Sequence, residues 1–451
     1  MDSLRPADLL LSPARVLRRW PYDRPLVMLA SGRAHPRWAR WSIFVEPVSW
    51  ATGDSALDIL DGVRCTGAAA TSSNAPFERG WIALFSYDLG RQLEPAAQTN
   101  GGAADDRRWP DISLARVEGA LIYDHDRRRW WETGRARGLA SKLNDVDAGT
   151  DEETFRTGLL RSSLSRRNYE ETVARILDYI GAGDAYQVNL SRRLSASFSG
   201  SARALAARAL RASRAWYGAY LELPDGRAAI SLSPELFLQV DGASGRILTR
   251  PIKGTLPASR DARELERSEK DAAELHMIVD LMRNDLGRMC ATGSIRVAEA
   301  RRIETHPTVH HGVAEIEGML RPGATVVDVL RAAFPPGSVT GAPKIRAMQI
   351  IDELEPVRRG PYCGSIGCID DHGNMTLNVA IRTMALSGRR ATGRFDRLEE
   401  ATLDYGTGGG IVADSIPARE WKETEHKAAV LLSALQLNRR PRSENVGFPV
   451  R

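Results

Sequence analysis

Residues 215–249 read AWYGAYLELPDGRAAISLSPELFLQVDGASGRILT. Apolar, strand-like runs alternate there with Pro224-Asp225-Gly226 and Asp241-Gly242, residue types suited to tight turns. The spacing predicts an antiparallel meander. Upstream, Gln187 to Leu194 reads as a strand. A helix precedes it, with a capping-box-like start at Asn168 and Glu171, an apolar face of Val173, Ile176, Leu177 and Ile180, and a stop at Gly181-Ala182-Gly183. Downstream, Asp261 to Leu286 reads as one long helix. Gly337 to Leu354 is a glycine-rich loop leading into a helix, and Pro417 to Leu435 is a last helix. Closer to the start, Trp41 to Val48 (WSIFVEPV) and Gly80 to Leu89 (GWIALFSYDL) read as buried strands. Strands in runs with helices between and after them predict an α+β (mixed α/β) fold.

The 451 residues include 62 basic and 57 acidic side chains, a formal net charge of +5. That excess is too small, and the runs Arg127-Arg128-Arg129 and Arg161 to Arg167 too short, for a nucleic-acid footprint; a solvated surface is expected. Four cysteines in such a length exclude a disulfide scaffold, and the spacing of Cys363 and Cys368 does not suit zinc. No apolar run is long enough for a membrane span, and the start lacks a signal-peptide pattern, so the cytoplasm is the expected compartment. Polar residues 145–167 suggest a connection. The expected organisation is an N-terminal region at 1–145, a linker at 146–167, a catalytic domain at 168–435 and a tail at 436–451.

Three features carry candidate chemistry. On the terminal helix, Glu420, Glu423 and Lys427 fall within about 60° of one another at about 100° per residue. Taken alone this is a solvated face with an ordinary i,i+4 ion pair. The preceding Gly406-Thr407-Gly408-Gly409-Gly410, read as a loop, would let backbone amides approach an anion. A second loop, Gly337 to Lys344 (GSVTGAPK), leads into a helix, where Pro343 suits the first turn and free amides can hold an anion. It lacks the Gly-Lys-Ser/Thr ending of a phosphate-binding loop. Glu274 lies beside the apolar stripe of Leu275, Ile278 and Met282. Glu235 ends one strand and Lys253 follows another. Val309-His310-His311 has no metal-like spacing.

As an ordered set these segments resemble the chorismate-utilising enzymes. The matching stretches are YQVNLS (186–191), SLSPE (231–235), RPIKGTLP (250–257), AELHMIVDLMRNDLGR (273–288), VHH (309–311), FPPGSVTGAPK (334–344), YCGSIG (362–367), NVAIRTM (378–384), GGGIVADS (408–415) and EWKETEHK (420–427). The resemblance covers most of the second half and is looser before residue 165. It implies two β-sheets packed face to face with helices outside, and an N-terminal segment interleaved with the catalytic part.

Two positions separate the family's reactions. Isochorismate and salicylate synthases carry a water-activating lysine where this chain has Gln187, and an amide is no general base near neutral pH. Anthranilate synthases carry alanine where this chain has Lys253; the lysine marks the branch that aminates chorismate at C4, toward 4-aminobenzoate and folate. The resemblance then implies Mg²⁺ on Glu274 and Glu423, with Glu420 a direct or water-mediated partner. It implies Lys253 as nucleophile, Glu235 as acid, and His311 beside the ring. Substrate would be bound by Gln187, Thr340, Tyr362, Arg382, the amides of Gly408, Gly409 and Gly410, and Lys427. No cysteine sits in a Gly-x-Cys-x-Gly elbow, so ammonia is expected from a separate glutamine amidotransferase subunit. No fused lyase is expected either, so pyruvate elimination is expected to be another enzyme's work. Competing readings are an anthranilate-forming enzyme and a non-catalytic paralogue that binds chorismate or tryptophan; the second has no need of an acid and a nucleophile. Relatives bind tryptophan where WSIFVEPV lies, but its spelling departs from their motif and no residues are assigned.

Overall fold

The computed structural model describes residues 4–32, 34–67, 76–99, 101–145, 154–306 and 309–435. The tail expected at 436–451, and residues 146–153 of the expected linker, lie outside them. The stretch 215–249 forms its hairpins in two different sheets. Tyr217–Leu223 and Arg227–Ser233 pair in the first, turning on Asp225 and Gly226, both at positive φ. The chain then crosses at Pro234-Glu235, and Leu236–Asp241 pairs with Arg246–Arg250 in the second. Proline has no amide to donate to a ladder, so the first strand stops there. The single meander read from the sequence is therefore shared between two layers.

Among the described residues the first sheet has 13 strands and the second 10. Val27, Ile43, Leu221 and Ala229 of the first share one buried cluster with Ile82, Ala115 and Ile366 of the second, so the sheets pack face to face. Helices Ala202–Ser213 and Pro417–Leu435 cover the outer face of the first sheet. Glu269–Gly287 and Val326–Ala333 pack with the second, and Lys344–Leu354 lies against Gln187–Ser201 of the first. The N-terminal third supplies strands to both layers. Val27–Ala30 pairs with Tyr217–Leu223, and Gly80–Phe85 with Ser365–Asp370. Within 154–167, Phe155–Thr157 and Arg161–Ser162 pair with the long strand Gln187–Ser201. A fully buried Arg203–Glu222 pair, 2.7 Å apart, also takes the carbonyls of Pro21 and Arg24, fastening the N-terminal segment to the later half.

Two helix boundaries differ from the sequence reading, each because a serine takes an open amide. Ser165 Oγ accepts from the Asn168 amide at 3.1 Å, so the helix runs Arg166–Gly181 and begins before Asn168. Ser268 Oγ accepts from Asp271, dividing the expected 261–286 helix into Ala262–Glu266 and Glu269–Gly287. The Arg161 to Arg167 run behaves as a solvated face: Arg166 and Arg167 pair with Glu170 and Glu171 one turn on. No helix among the described residues is long and apolar enough to cross a membrane.

Candidate active site

Glu235 and Arg382 stand on two adjacent passages between the sheets. The first is Pro234-Glu235; the second, residues 379–382, links Met375–Asn378 of the second sheet to Thr383–Arg390 of the first. The passages are laced together: the Val379 amide donates to the Glu235 carbonyl, Ser233 Oγ to the Val379 carbonyl, and the Leu232 amide to the Arg382 carbonyl. Glu235 is almost fully buried, and its Oε1 accepts from the Ile252 amide at 3.3 Å. Burial pushes its carboxyl up to about 7, against the pull of Ser338, that amide, Lys253 and Lys427. Arg382 adopts φ 52°. Burial lowers its guanidinium, which has no ion-pair partner among the described residues. A half-buried guanidinium left without a carboxylate is placed to donate to one.

Lys253 reaches the same space from the second sheet. Ile252–Pro257 pairs with Val309–Met319, and the register slips between Lys253 and Thr255. The extra residue is Gly254, at φ 77°. That bulge turns the strand so that Lys253 Nζ lies 3.2 Å from Glu274 Oε1 on the helix Glu269–Gly287. Across the ladder from Thr255, His311 is buried, and its Nδ1 is 3.0 Å from Thr255 Oγ1. Burial, then the charges of Arg382 and His306, hold His311 down at about 3, so it is a neutral imidazole at ordinary pH.

The glycine segment is not a loop. Gly406 to Gly410 belong to the strand Arg397–Val412, paired along Gln187–Ser201. Glycine is required there because side chains crowd the strand. A Cβ at Gly409 would stand 3.2 Å from Glu423 Oε1 and 3.5 Å from Glu420 Oε2. One at Gly410 would stand 2.9 Å from the Gln187 Nε2 and 3.1 Å from Glu274 Oε1. At Gly406 it would enter the Tyr362 ring. Backbone here makes room for carboxylates and an aromatic ring. The carboxylates are not idle: Lys427 Nζ binds Glu423 Oε1 at 2.6 Å and the Gly408 carbonyl at 2.9 Å. Burial works against the Glu423 carboxylate, but Lys427, with Lys253 and Lys270, holds it below its usual range. Glu420 is raised by burial, which outweighs its bond from Ser415.

The structure thus gathers Glu235, Lys253, Glu274, His311, Arg382, Gly408 to Gly410, Glu420, Glu423, Lys427 and Gln187. Gln187 is fully buried, and neither atom of its amide has a partner. Thr340 is also fully buried, its hydroxyl donating to the Gly337 carbonyl at 3.2 Å, and its carbonyl accepting from Asn189. Pro343 precedes the helix Lys344–Leu354 as its cap residue. Among the described residues no three carboxylate, imidazole or thiol groups are drawn together as a metal cluster. Sequence reasoning missed Lys270, Ser338, Ser415 and Thr255. Lys270 lies one turn before Glu274, an i,i+4 spacing that could have flagged it. Ser338 and Thr255 carry no such signal, since their partners Glu235 and His311 lie far off in sequence, whereas Ser415 stands five residues before its partner Glu420.

Residues 29–433 match the family of chorismate binding enzymes, and the chain belongs to that family. It is an enzyme acting on chorismate. Aminodeoxychorismate synthase component 1 of Salmonella typhimurium is 42% identical over 374 residues, covering 80% of this chain and 78% of that one. Its Escherichia coli namesake is 37% identical over 468 residues, covering 94% and 99%. Anthranilate synthase component 1 of Thermus thermophilus is 37% identical over 387 residues, covering 80% and 78%. Among solved structures, anthranilate synthase component I of Streptococcus pneumoniae superposes with a TM-score of 0.72 at 29% identity, covering 88% of this chain and 92% of that one.

Proposed function

We propose that this chain converts chorismate and ammonia to 4-amino-4-deoxychorismate, the reaction its Salmonella and E. coli relatives are named for. The observation that carries the reading is Lys253 Nζ, set by the Gly254 bulge among the acidic groups instead of facing solvent. Lys253 as the free amine adds at C2 of the ring, the ring double bonds shift, and the C4 hydroxyl departs. Glu235, kept protonated by burial, gives that hydroxyl its proton so that water leaves. Ammonia then bonds to C4, the double bonds return, and the C2–nitrogen bond to Lys253 breaks. Arg382 and Lys427 hold the two substrate carboxylates, with Thr340, Tyr362, Gln187 and the Gly408 to Gly410 backbone shaping the pocket. His311 orients the ring as a neutral hydrogen-bonding group.

The residues fit a magnesium ion: hard carboxylate oxygens of Glu274 and Glu423 flank a glycine cradle that Cβ atoms would fill, with Glu420 beside them. Mg²⁺ bound there supplies charge withdrawal at the ring carboxylate. To hold it, Glu274 and Glu423 would give up their present partners, Lys253 and Lys427. Ammonia comes from a separate glutaminase subunit, and the product leads toward 4-aminobenzoate and folate in the cytoplasm. The anthranilate-forming reading is favoured by the Thermus and Streptococcus relatives, and Lys253 argues against it.

The test is product identity. Purified chain with chorismate, Mg²⁺ and ammonium is expected to yield 4-amino-4-deoxychorismate; anthranilate, read by its fluorescence, would sink the proposal.

A further inference from the structure

Lys344 is one of only six lysines in the chain, beside 56 arginines, and the reaction above gives it no task. Its ammonium is buried at the start of the helix Lys344–Leu354. There Nζ binds Asp285 Oδ2 at 2.6 Å and the Ala333 carbonyl at 2.7 Å. Both charged side chains are nearly sealed, 10% and 5% exposed. Burying such a pair gains little stability over apolar residues of the same size, so its retention calls for another reason.

The geometry supplies one. Asp285 and Glu274 are eleven residues apart on the helix Glu269–Gly287. Eleven residues at about 100° each close three turns to within about 20°, so the two carboxylates share one face, roughly 16 Å apart along the axis. Turning that helix about its axis would swing both together. Lys344 fixes the far end of this face. It also follows directly on Thr340–Pro343 by number 340–343, whose Gly341–Ala342 strand pairs with Gln187 and Val188. Ala333 is the last residue of the helix Val326–Ala333, a helix end that attracts a cation.

We infer that Lys344 and Asp285 are positioning residues: their buried contact sets the rotation of the Glu274 helix against the Thr340 turn and so the shape of the chorismate pocket. This rests on the proposed roles of Glu274 and Thr340 in one pocket, but not on which amine product forms. Chorismate disappearance is therefore the readout, followed whatever the product.

Lys344→Met alone leaves Asp285 buried without its partner and is expected to lower Tm. The double variant Lys344→Met/Asp285→Leu removes both charges. It is expected to recover Tm close to wild type while KM for chorismate stays raised about tenfold, and Mg²⁺ affinity by calorimetry is weakened. A double variant with wild-type KM and Mg²⁺ affinity overturns the inference, because stability alone would then explain the pair. Should the double variant fail to fold, Asp285→Asn decides. It keeps the shape and an acceptor oxygen; a KM raised several-fold supports the positioning role, and an unchanged KM overturns it. Failure of the proposed reaction shows separately, as anthranilate formed at an unaltered KM pattern.

Discussion

In the proposed reaction Glu235 and Lys253 make opposite demands on protons, one giving and one needing to be free. With the Glu235 carboxyl raised to about 7 by burial, the protonated acid dominates below that pH and is lost above it. At fixed free-ammonia concentration, kcat/KM for chorismate is expected to fall as pH rises through about 7. Glu235→Gln should lose about 10²–10⁴-fold in rate and no longer show that limb; a limb that survives assigns it to another group. Lys253→Ala should remove the adduct, so a mass shift on the active-site peptide, trapped from wild type with chorismate and no ammonia, disappears. Undiminished turnover by Lys253→Ala would dismiss the covalent step. At this scale the sequence was informative where identity itself carries chemistry, as at Lys253, Glu235 and Arg382. It was silent on Ser338 and Thr255, because each hydroxyl acquires its task only from a neighbour brought by the fold.

Elements were legible by their interiors and less so by their ends. The helix Pro417–Leu435 starts where expected, since Pro417 opens it and the apolar spacing carries it on. Ser165 and Ser268 shifted other boundaries through single hydrogen bonds that weigh little against a long apolar pattern. The glycine-rich stretch 406–410 reads as a loop by composition, yet it is strand, since glycine also serves where side chains from other elements press on the backbone. The bulge at Gly254 carries a prediction of its own. Its φ of 77° and the approach of a Cβ to Leu265 Cδ1 at 2.9 Å oppose any larger residue. Gly254→Ala is expected to cost about 1–2 kcal/mol in denaturant unfolding and to lower kcat by misplacing Lys253. Retained stability with full activity would show that the strand needs no bulge there.

For the molecule as a whole, motif order gave the family and the two-sheet plan, but not which strands neighbour which. Sequence distance hides that Val27–Ala30 and Gly80–Phe85 are interior strands of sheets completed by residues 217–223 and 365–370. Removing residues 1–145 would strip both layers of strands and expose apolar faces. The fragment 168–435 is expected to aggregate or stay unfolded, by circular dichroism and light scattering, and the full chain to melt in one transition. A soluble, chorismate-binding fragment would contradict this.

Because Lys253 and His311 belong to one sheet, and the Gly408 to Gly410 backbone and Gln187 to the other, the groups proposed to act on chorismate straddle a sandwich. The thickness of its filling is therefore a calipers setting: a trimmed methyl group midway between the layers, far from any substrate atom, alters the gap across which acid, amine and anion-binding groups must meet. Drift in the buried middle of this chain would thus be felt as altered catalysis before it was felt as lost folding.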